Sequence, residues 1–106
     1  MPTIVLDAGH GGYDNGAVSG TRREKDDNLR MALAVGNLLR GCGFDVVQTR
    51  TTDVFVPLME RSNISNRAGA DLFVSIHRNG STNPSANGVE NWVYTNPSQR
   101  AVLAAN

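Results

Sequence analysis

Short apolar runs alternate with longer amphipathic segments along the first 77 residues. The runs "TIVLD" (3–7), "FDVVQT" (44–49) and "DLFVSIH" (71–77) are bounded by turn residues and are typical of buried strands. Residues 27–40 carry apolar side chains at helical spacing, and residues 57–68 begin with a proline and end before a glycine. Strands that alternate with helices predict an α/β fold, in which helices cover both faces of a parallel sheet.

The first predicted helix has recognisable ends. Asp26 or Asp27 is its predicted N-cap, and Gly41 and Gly43 supply its C-terminal stop. One face of this helix is apolar and is expected to pack on the sheet. That face comprises Leu29, Ala32, Leu33, Gly36 and Leu39, and it is widened by Met31, Val35 and Leu38.

The remaining segments are a polar, Gly-rich loop over residues 8–25, a fourth strand at 89–94 and the start of a further helix at 97–105. Because the chain stops inside this last helical pattern, we expect it to be cut short relative to a complete domain. Arg61 and Arg67 are expected on the solvent side of the second helix, with Arg61 available to pair across the loop.

Composition and charge exclude several function classes. The 106 residues suit one small domain, and ten basic residues balance ten acidic ones. We therefore expect no nucleic-acid partner, and no apolar run reaches the ~20 residues that span a bilayer. The N-terminus lacks the features of a signal peptide. The single cysteine, Cys42, allows no internal disulfide and lies at a predicted helix-to-strand turn.

Three potential metal ligands fall at one edge of the predicted sheet. His10 follows the first strand, His77 ends the third, and Glu24 lies just before the first helix. Two imidazoles and one carboxylate form the ligand set of several hydrolytic zinc sites, and such sites leave a position open for water. Asp7, or a backbone carbonyl of the loop, is the expected hydrogen-bond acceptor that orients the His10 ring. Two histidines can also fall at strand ends by chance. The spacing alone therefore leaves open a purely structural role for these three residues.

Other interpretations of the Gly-rich loop fit less well. A dinucleotide fingerprint counted from Gly9 fails at Asp14, and a phosphate-binding P-loop fails at Ala17. The Gly-x-Ser-x-Gly motif of serine hydrolases does not occur. Glu90 is the other glutamate near this edge and is open to an outer-sphere, substrate-binding or surface role.

The sequence resembles the zinc-dependent N-acetylmuramoyl-L-alanine amidases of the amidase-3 type. The matching stretches, in the order and spacing of that family, are "IVLDAGHGGYDNGA" (4–17), "REKDDNL" (23–29), "VVQTRTTD" (46–53), "ERSNISNRAGADLFVSIHRN" (60–79) and "NGVENWVY" (87–94). The resemblance implies a three-layer α/β/α sandwich with a mostly parallel twisted sheet. It also implies that His10, Glu24 and His77 bind Zn²⁺, and that the substrate is the amide between N-acetylmuramic acid and L-alanine of the peptidoglycan stem peptide.

The resemblance also defines where this chain departs from the family. Members usually continue beyond the equivalent of Asn106 and carry there a glutamate regarded as the general base. Residues 1–106 are therefore expected to be the N-terminal portion of the catalytic domain. An inactive, zinc-containing peptidoglycan-binding module is the alternative function. We expect Arg78, where the family often has a small residue, to be solvent-exposed, with a stem-peptide carboxylate as the alternative contact of its guanidinium. The implied place of action is the cell wall, which the chain would reach through a removed signal, as an excised domain of a larger parent protein, or through phage-encoded lysis.

Overall fold

The computed structural model describes residues 1–79 and 88–94, with side chains for residues 1–78. Within this part of the chain there are two helices and six strands. The strands are β1 (Thr3–Ala8), β2 (Val18–Ser19), β3 (Arg22–Arg23), β4 (Asp45–Gln48), β5 (Leu72–Asn79) and β6 (Gly88–Tyr94), and the helices are α1 (Glu24–Gly41) and α2 (Leu58–Ala68). The four strands predicted from the sequence are confirmed to within two residues at each end.

The main sheet has the strand order β4-β1-β5-β6. β1 is parallel to both of its neighbours, so that Val5 lies opposite Val47 of β4 and Phe73 of β5. β6 is antiparallel to β5, and in that ladder Glu90 lies opposite His77. The predicted mostly parallel sheet is confirmed. Its three parallel strands end at a common edge, because parallel strands point the same way.

Helix α1 covers one face of the sheet. Ile4, Leu6 and Ala8 alternate along β1 toward this face and form the core with Ala32 of α1 and Ile76 of β5. Seven partly buried apolar residues pack around them: Leu29, Val35, Leu39, Phe44, Val46, Leu72 and Val74. Each fully buried side chain of the size of leucine contributes roughly 1.5–3 kcal/mol, so this layer is the main source of stability.

Two details of α1 differ from the prediction. Met31 and Leu38 are 41% and 72% exposed, so they do not widen the buried face. They are turned about 100° and 120° around the helix axis from Ala32, which carries them past the sheet. The predicted N-cap at Asp26 or Asp27 is also wrong. The helix begins at Glu24, because the carbonyls of the preceding loop at Asn15 and Ala17 accept its first N–H groups.

Helix α2 covers the opposite face of the sheet. Its Arg61 is only 4% exposed and forms an ion pair with Asp7 of β1 at 2.7 Å, so the expected solvent position of Arg61 is wrong. Arg67 is exposed, as predicted, and pairs with Glu60. With α1 on one face and α2 on the other, the α/β fold class is confirmed.

The segment predicted as a continuous loop contains a short hairpin, in which β2 and β3 pair through Ser19 and Arg22. It has no apolar alternation that would reveal it. Cys42 is exposed at the turn after α1, where the sequence placed it. The helix predicted at 97–105 and the side chain of Glu90 lie outside the described residues. Neither of the two described helices is long and apolar enough to cross a membrane.

Candidate metal centre

The loop after β1 presents His10 in an unusual backbone conformation. His10 has φ 65°, in the left-handed region that non-glycine residues seldom adopt. The loop then folds back on itself, because the N–H groups of Gly11 and Asp14 each donate to the other residue's carbonyl at 2.9 and 3.0 Å. This turn brings the Asp14 carboxylate to the His10 ring.

Asp14 fixes the orientation of that ring. Its Oδ2 lies 2.8 Å from Nδ1 of His10, and its Oδ1 accepts the Gly16 N–H at 3.1 Å. The hydrogen bond from His10 holds the pKa of Asp14 below its usual value. Because an ionised carboxylate can only accept, the proton of neutral His10 lies on Nδ1 and the lone pair of Nε2 is available to a metal. Asp7, the expected acceptor, does not contact this ring and bonds Thr49, Arg61 and Ser75 instead.

Two buried arginines hold the backbone on either side of His10. Arg61 donates to the carbonyls of Ala8 and His10 at 2.7 and 2.8 Å. Arg50 donates to the carbonyls of Ala8 and Gly9, both at 3.0 Å. The left-handed conformation of His10 is thus maintained by guanidinium groups from distant parts of the chain. Such strain persists only where the surroundings determine it.

Glu24, the first residue of α1, is buried between the two histidines. Its Oε2 lies 3.2 Å from Nε2 of His10 and 3.1 Å from Nδ1 of His77. Burial would raise the pKa of Glu24, but hydrogen bonds from His77, the Ala17 N–H and Asn28 outweigh burial and lower the pKa to about 2. The carboxylate is therefore ionised at physiological pH, as a metal ligand must be.

His77 extends from β5 into the same site. Its ring meets the His10 ring edge to face, with centroids 5.2 Å apart. Nε2 of His77 lies 3.1 Å from the Ser75 hydroxyl, which in turn donates to Oδ2 of Asp7 at 3.0 Å. Gly9 passes directly beside this ring, and a Cβ at that position would overlap it. The absence of a side chain at Gly9 therefore makes room for His77.

Two of the ligand-atom separations among these three side chains are close to those of a tetrahedral zinc site. Ligand atoms that lie ~2.0–2.2 Å from a tetrahedral zinc are about 3.3–3.6 Å apart. The 3.1 and 3.2 Å separations here are close to that spacing, and one ligand atom from each of His10, Glu24 and His77 lies within 4.8 Å of the others. Three protein ligands leave the fourth coordination position of a tetrahedral ion open. A divalent ion held by these ligands could polarise a carbonyl. The structure thus brings together all three side chains that the sequence singled out.

Several residues that support the site were not found from the sequence. Asn28 is buried one helical turn after Glu24, donates to its Oε2 at 3.1 Å and accepts the N–H of Arg78. Its i, i+4 position was a usable signal. Lys25, also buried, donates to Gly12 O and to Asp53 at 2.9 and 2.8 Å. Nothing local in the sequence marks Lys25 or Asp14, because their partners are set by how the loop folds.

Comparison with known proteins finds matches over nearly the whole chain. The family model described as N-acetylmuramoyl-L-alanine amidase matches residues 4–106. The N-acetylmuramoyl-L-alanine amidase AmiA of Escherichia coli (strain K12) is 42% identical over 103 residues, which are 95% of this chain and 35% of AmiA. The endolysin of Bacillus phage SPP1 is 42% identical over 96 residues, 90% of this chain and 35% of the endolysin.

A solved structure agrees with these relatives. The catalytic domain of CwlV, an N-acetylmuramoyl-L-alanine amidase from Bacillus (Paenibacillus) polymyxa var. colistinus, matches with a TM-score of 0.77 and 43% identity. The match covers 83% of this chain and 51% of that one. The chain therefore spans about a third of the length of the curated relatives named above and about half of this catalytic domain.

Proposed function

This chain belongs to the N-acetylmuramoyl-L-alanine amidase family, and from that membership we propose that it hydrolyses the amide between N-acetylmuramic acid and L-alanine in peptidoglycan with Zn²⁺ as its metal. The observation that carries the proposal is the convergence of His10, Glu24 and His77 within 4.8 Å. The two histidines are the only ones in the chain, and the glutamate is buried and ionised. This donor set suits a hydrolytic zinc ion.

Each part of the site has a separate task in this proposal. His10, Glu24 and His77 hold the ion, which when bound polarises the scissile carbonyl and lowers the pKa of water toward ~7. Asp14 keeps the proton of His10 on Nδ1, away from the ion. Ser75 lies beside Nε2 of His77, so the ring proton can sit on Nε2 when an ion replaces the Nδ1 hydrogen bond to Glu24, and Nδ1 is then the ligand atom. Outer-sphere hydrogen bonds of this kind typically improve metal affinity 10–100-fold.

The substrate gives the place of action and the partners. The muramoyl group and the stem peptide lie in the cell wall, so we propose that the chain acts there, as a wall-remodelling or lytic enzyme. The phage endolysin among its relatives is named for the second of these roles.

Metal analysis tests the site. The purified chain, dialysed against zinc and then metal-free buffer, should retain about one zinc per chain. The variant His10→Ala should lose it, whereas Arg67→Met, a change on the exposed side of α2, should retain it. Full zinc occupancy in His10→Ala with normal folding by circular dichroism would exclude this ligand set.

An activity assay separates the two candidate functions. The zinc-loaded chain is incubated with muramoyl tetrapeptide, and release of the free stem peptide is followed by mass spectrometry. Cleavage that stops in His10→Ala supports the amidase. Binding of sacculi without any release supports a peptidoglycan-binding module, the second candidate. Hydrolysis also needs a general base within hydrogen-bond reach of the water, so this assay tests the two candidates directly.

A further inference from the structure

Three arginines converge on one carboxylate next to the candidate metal centre. The guanidinium groups of Arg22, Arg78 and Arg30 lie 3.1, 2.8 and 3.5 Å from the carboxylate of Asp27. We call these four residues the Asp27 cluster. Three positive charges share one negative charge, so the cluster carries a net charge of about +2 at neutral pH.

The cluster has one enclosed layer and one exposed layer. The side chains of Asp27 and Arg78 are 15% and 17% exposed, whereas those of Arg22 and Arg30 are 66% and 76% exposed. In the described part of the chain, neither outer arginine has another ion-pair partner. Each guanidinium has five N–H donors, so most donors on the outer layer face solvent. A planar guanidinium with free donors is suited to bidentate binding of a carboxylate.

The position of the cluster relates it to the metal centre. Asp27 is three residues after the candidate ligand Glu24 in α1, and Arg78 directly follows the ligand His77 in β5. Arg78 Nη2 donates to the Ala17 carbonyl at 3.3 Å, and the Ala17 N–H donates to Oε1 of Glu24 at 3.0 Å. A single residue, Ala17, therefore links the Arg78 guanidinium to the candidate ligand, and the two groups lie within roughly 10 Å of each other, about three residue lengths of an extended peptide.

We propose that the Asp27 cluster binds a carboxylate of the stem peptide, at the residue following the L-alanine, and so makes this chain selective for stem peptides in which that carboxylate is free. The proposal rests on the proposed function for the identity of the substrate. An extended peptide advances ~3.3–3.6 Å per residue, so a carboxylate carried on the second residue, roughly 7 Å or more from the scissile amide, spans most of the distance that Ala17 bridges between Glu24 and the cluster. An amidated second residue would lose the charge that the cluster attracts.

A binding experiment tests the proposal without requiring turnover. Two cleaved stem tetrapeptides, identical except that the second residue carries a free carboxylate or its amide, are titrated into the zinc-loaded chain by calorimetry. The free carboxylate should bind about five- to tenfold more tightly at low salt, and the preference should shrink at high salt because exposed charges are screened. Equal affinities, or no binding of either peptide, would overturn the proposal.

Matched variants assign the preference to the cluster. Arg22→Gln and Arg30→Gln together should reduce the preference to about twofold or less, whereas Arg67→Gln, another exposed arginine in an ion pair, should leave it unchanged. Asp27→Asn removes the single negative charge, so it should increase the preference for the carboxylate. A variant that merely damaged the fold would weaken both peptides and could not increase selectivity. A preference that survives in the Arg22, Arg30 double variant, or that falls in Asp27→Asn, would contradict the assignment.

The two proposals can fail separately. Loss of peptide cleavage with the carboxylate preference intact would reject the amidase proposal and keep the binding site. Cleavage of muramoyl tetrapeptides at equal kcat/KM for the free and amidated forms would keep the amidase and reject the carboxylate site.

Discussion

The free energy of unfolding is predicted to depend strongly on the buried arginine Arg61. Its guanidinium makes four hydrogen bonds of 2.7–2.8 Å, to Oδ1 of Asp7 and to the carbonyls of Val56, Ala8 and His10. Arg61→Met preserves much of the side-chain volume and removes all four. Removing one partner of a buried ion pair typically costs about 3–5 kcal/mol, because the other charge remains buried without compensation.

The contacts that Asp7 retains set the expected value within that range. Its carboxylate keeps the hydroxyl groups of Thr49 and Ser75 at 2.8 and 3.0 Å, so we expect the lower end, about 3 kcal/mol. A domain of this size unfolds in urea with a slope of ~1–1.5 kcal/mol/M, so the midpoint should fall by about 2–3 M. Urea titration followed by circular dichroism measures this shift directly.

A control and a double variant make the reasoning refutable. Arg67→Met, on the same helix but in an exposed pair, should cost less than ~1 kcal/mol. Combining Arg61→Met with Asp7→Asn should cost at least ~1 kcal/mol less than the sum of the single changes, because no charge is then left unpaired. A loss below ~1 kcal/mol in Arg61→Met, or strict additivity in the double variant, would show that this pair does not stabilise the fold as argued.

Three further predictions concern the loop and its neighbours. Asp14→Ala removes the acceptor that orients His10, so zinc affinity measured by competition with a chelator should fall about 10–100-fold. Gly9→Ala places a methyl group against the His77 ring, and the same titration should detect weakened zinc binding. A hydrogen bond from Lys25 lowers the pKa of Asp53 in the folded protein. The Asp53 carboxylate therefore stabilises the fold at pH values above its unfolded pKa of 3.8, and this stability is lost as the pH falls through the lower folded pKa. Below pH 4, the urea midpoint of the wild-type protein should therefore fall more steeply with decreasing pH than the urea midpoint of Asp53→Asn.

Each of these has an outcome that would count against it. Unchanged zinc affinity in Asp14→Ala would mean that the His10 ring needs no acceptor. Gly41→Ala serves as the control for Gly9→Ala, because a Cβ there meets no atom within 4 Å, and equal zinc binding in both variants would remove the steric argument. Parallel acid unfolding curves for wild type and Asp53→Asn would show that the Asp53 carboxylate contributes nothing.

Local sequence patterns determine the strands and helix ends of this fold. A short, mostly apolar run such as Thr3–Ala8, bounded by turn residues, is typical of a buried strand, and Pro57 and Gly69 mark the ends of the second helix. Because parallel strands end at one edge, the position of His10, Glu24 and His77 in this order was enough to predict that they meet. Periodicity and chain direction carry this information, and both are properties of a linear sequence.

The tertiary structure alone decided which charged groups are buried and what they bind. Arg61 was expected in solvent and is instead held by Asp7, 54 residues earlier, while Asp14 rather than Asp7 supports His10. Arg78 was also expected in solvent, but its side chain is only 17% exposed and forms an ion pair with Asp27. A charged side chain can be buried only when compensating partners surround it, and those partners come from segments far apart in the chain. Their meeting is a consequence of the packed fold and leaves no periodic trace in the sequence.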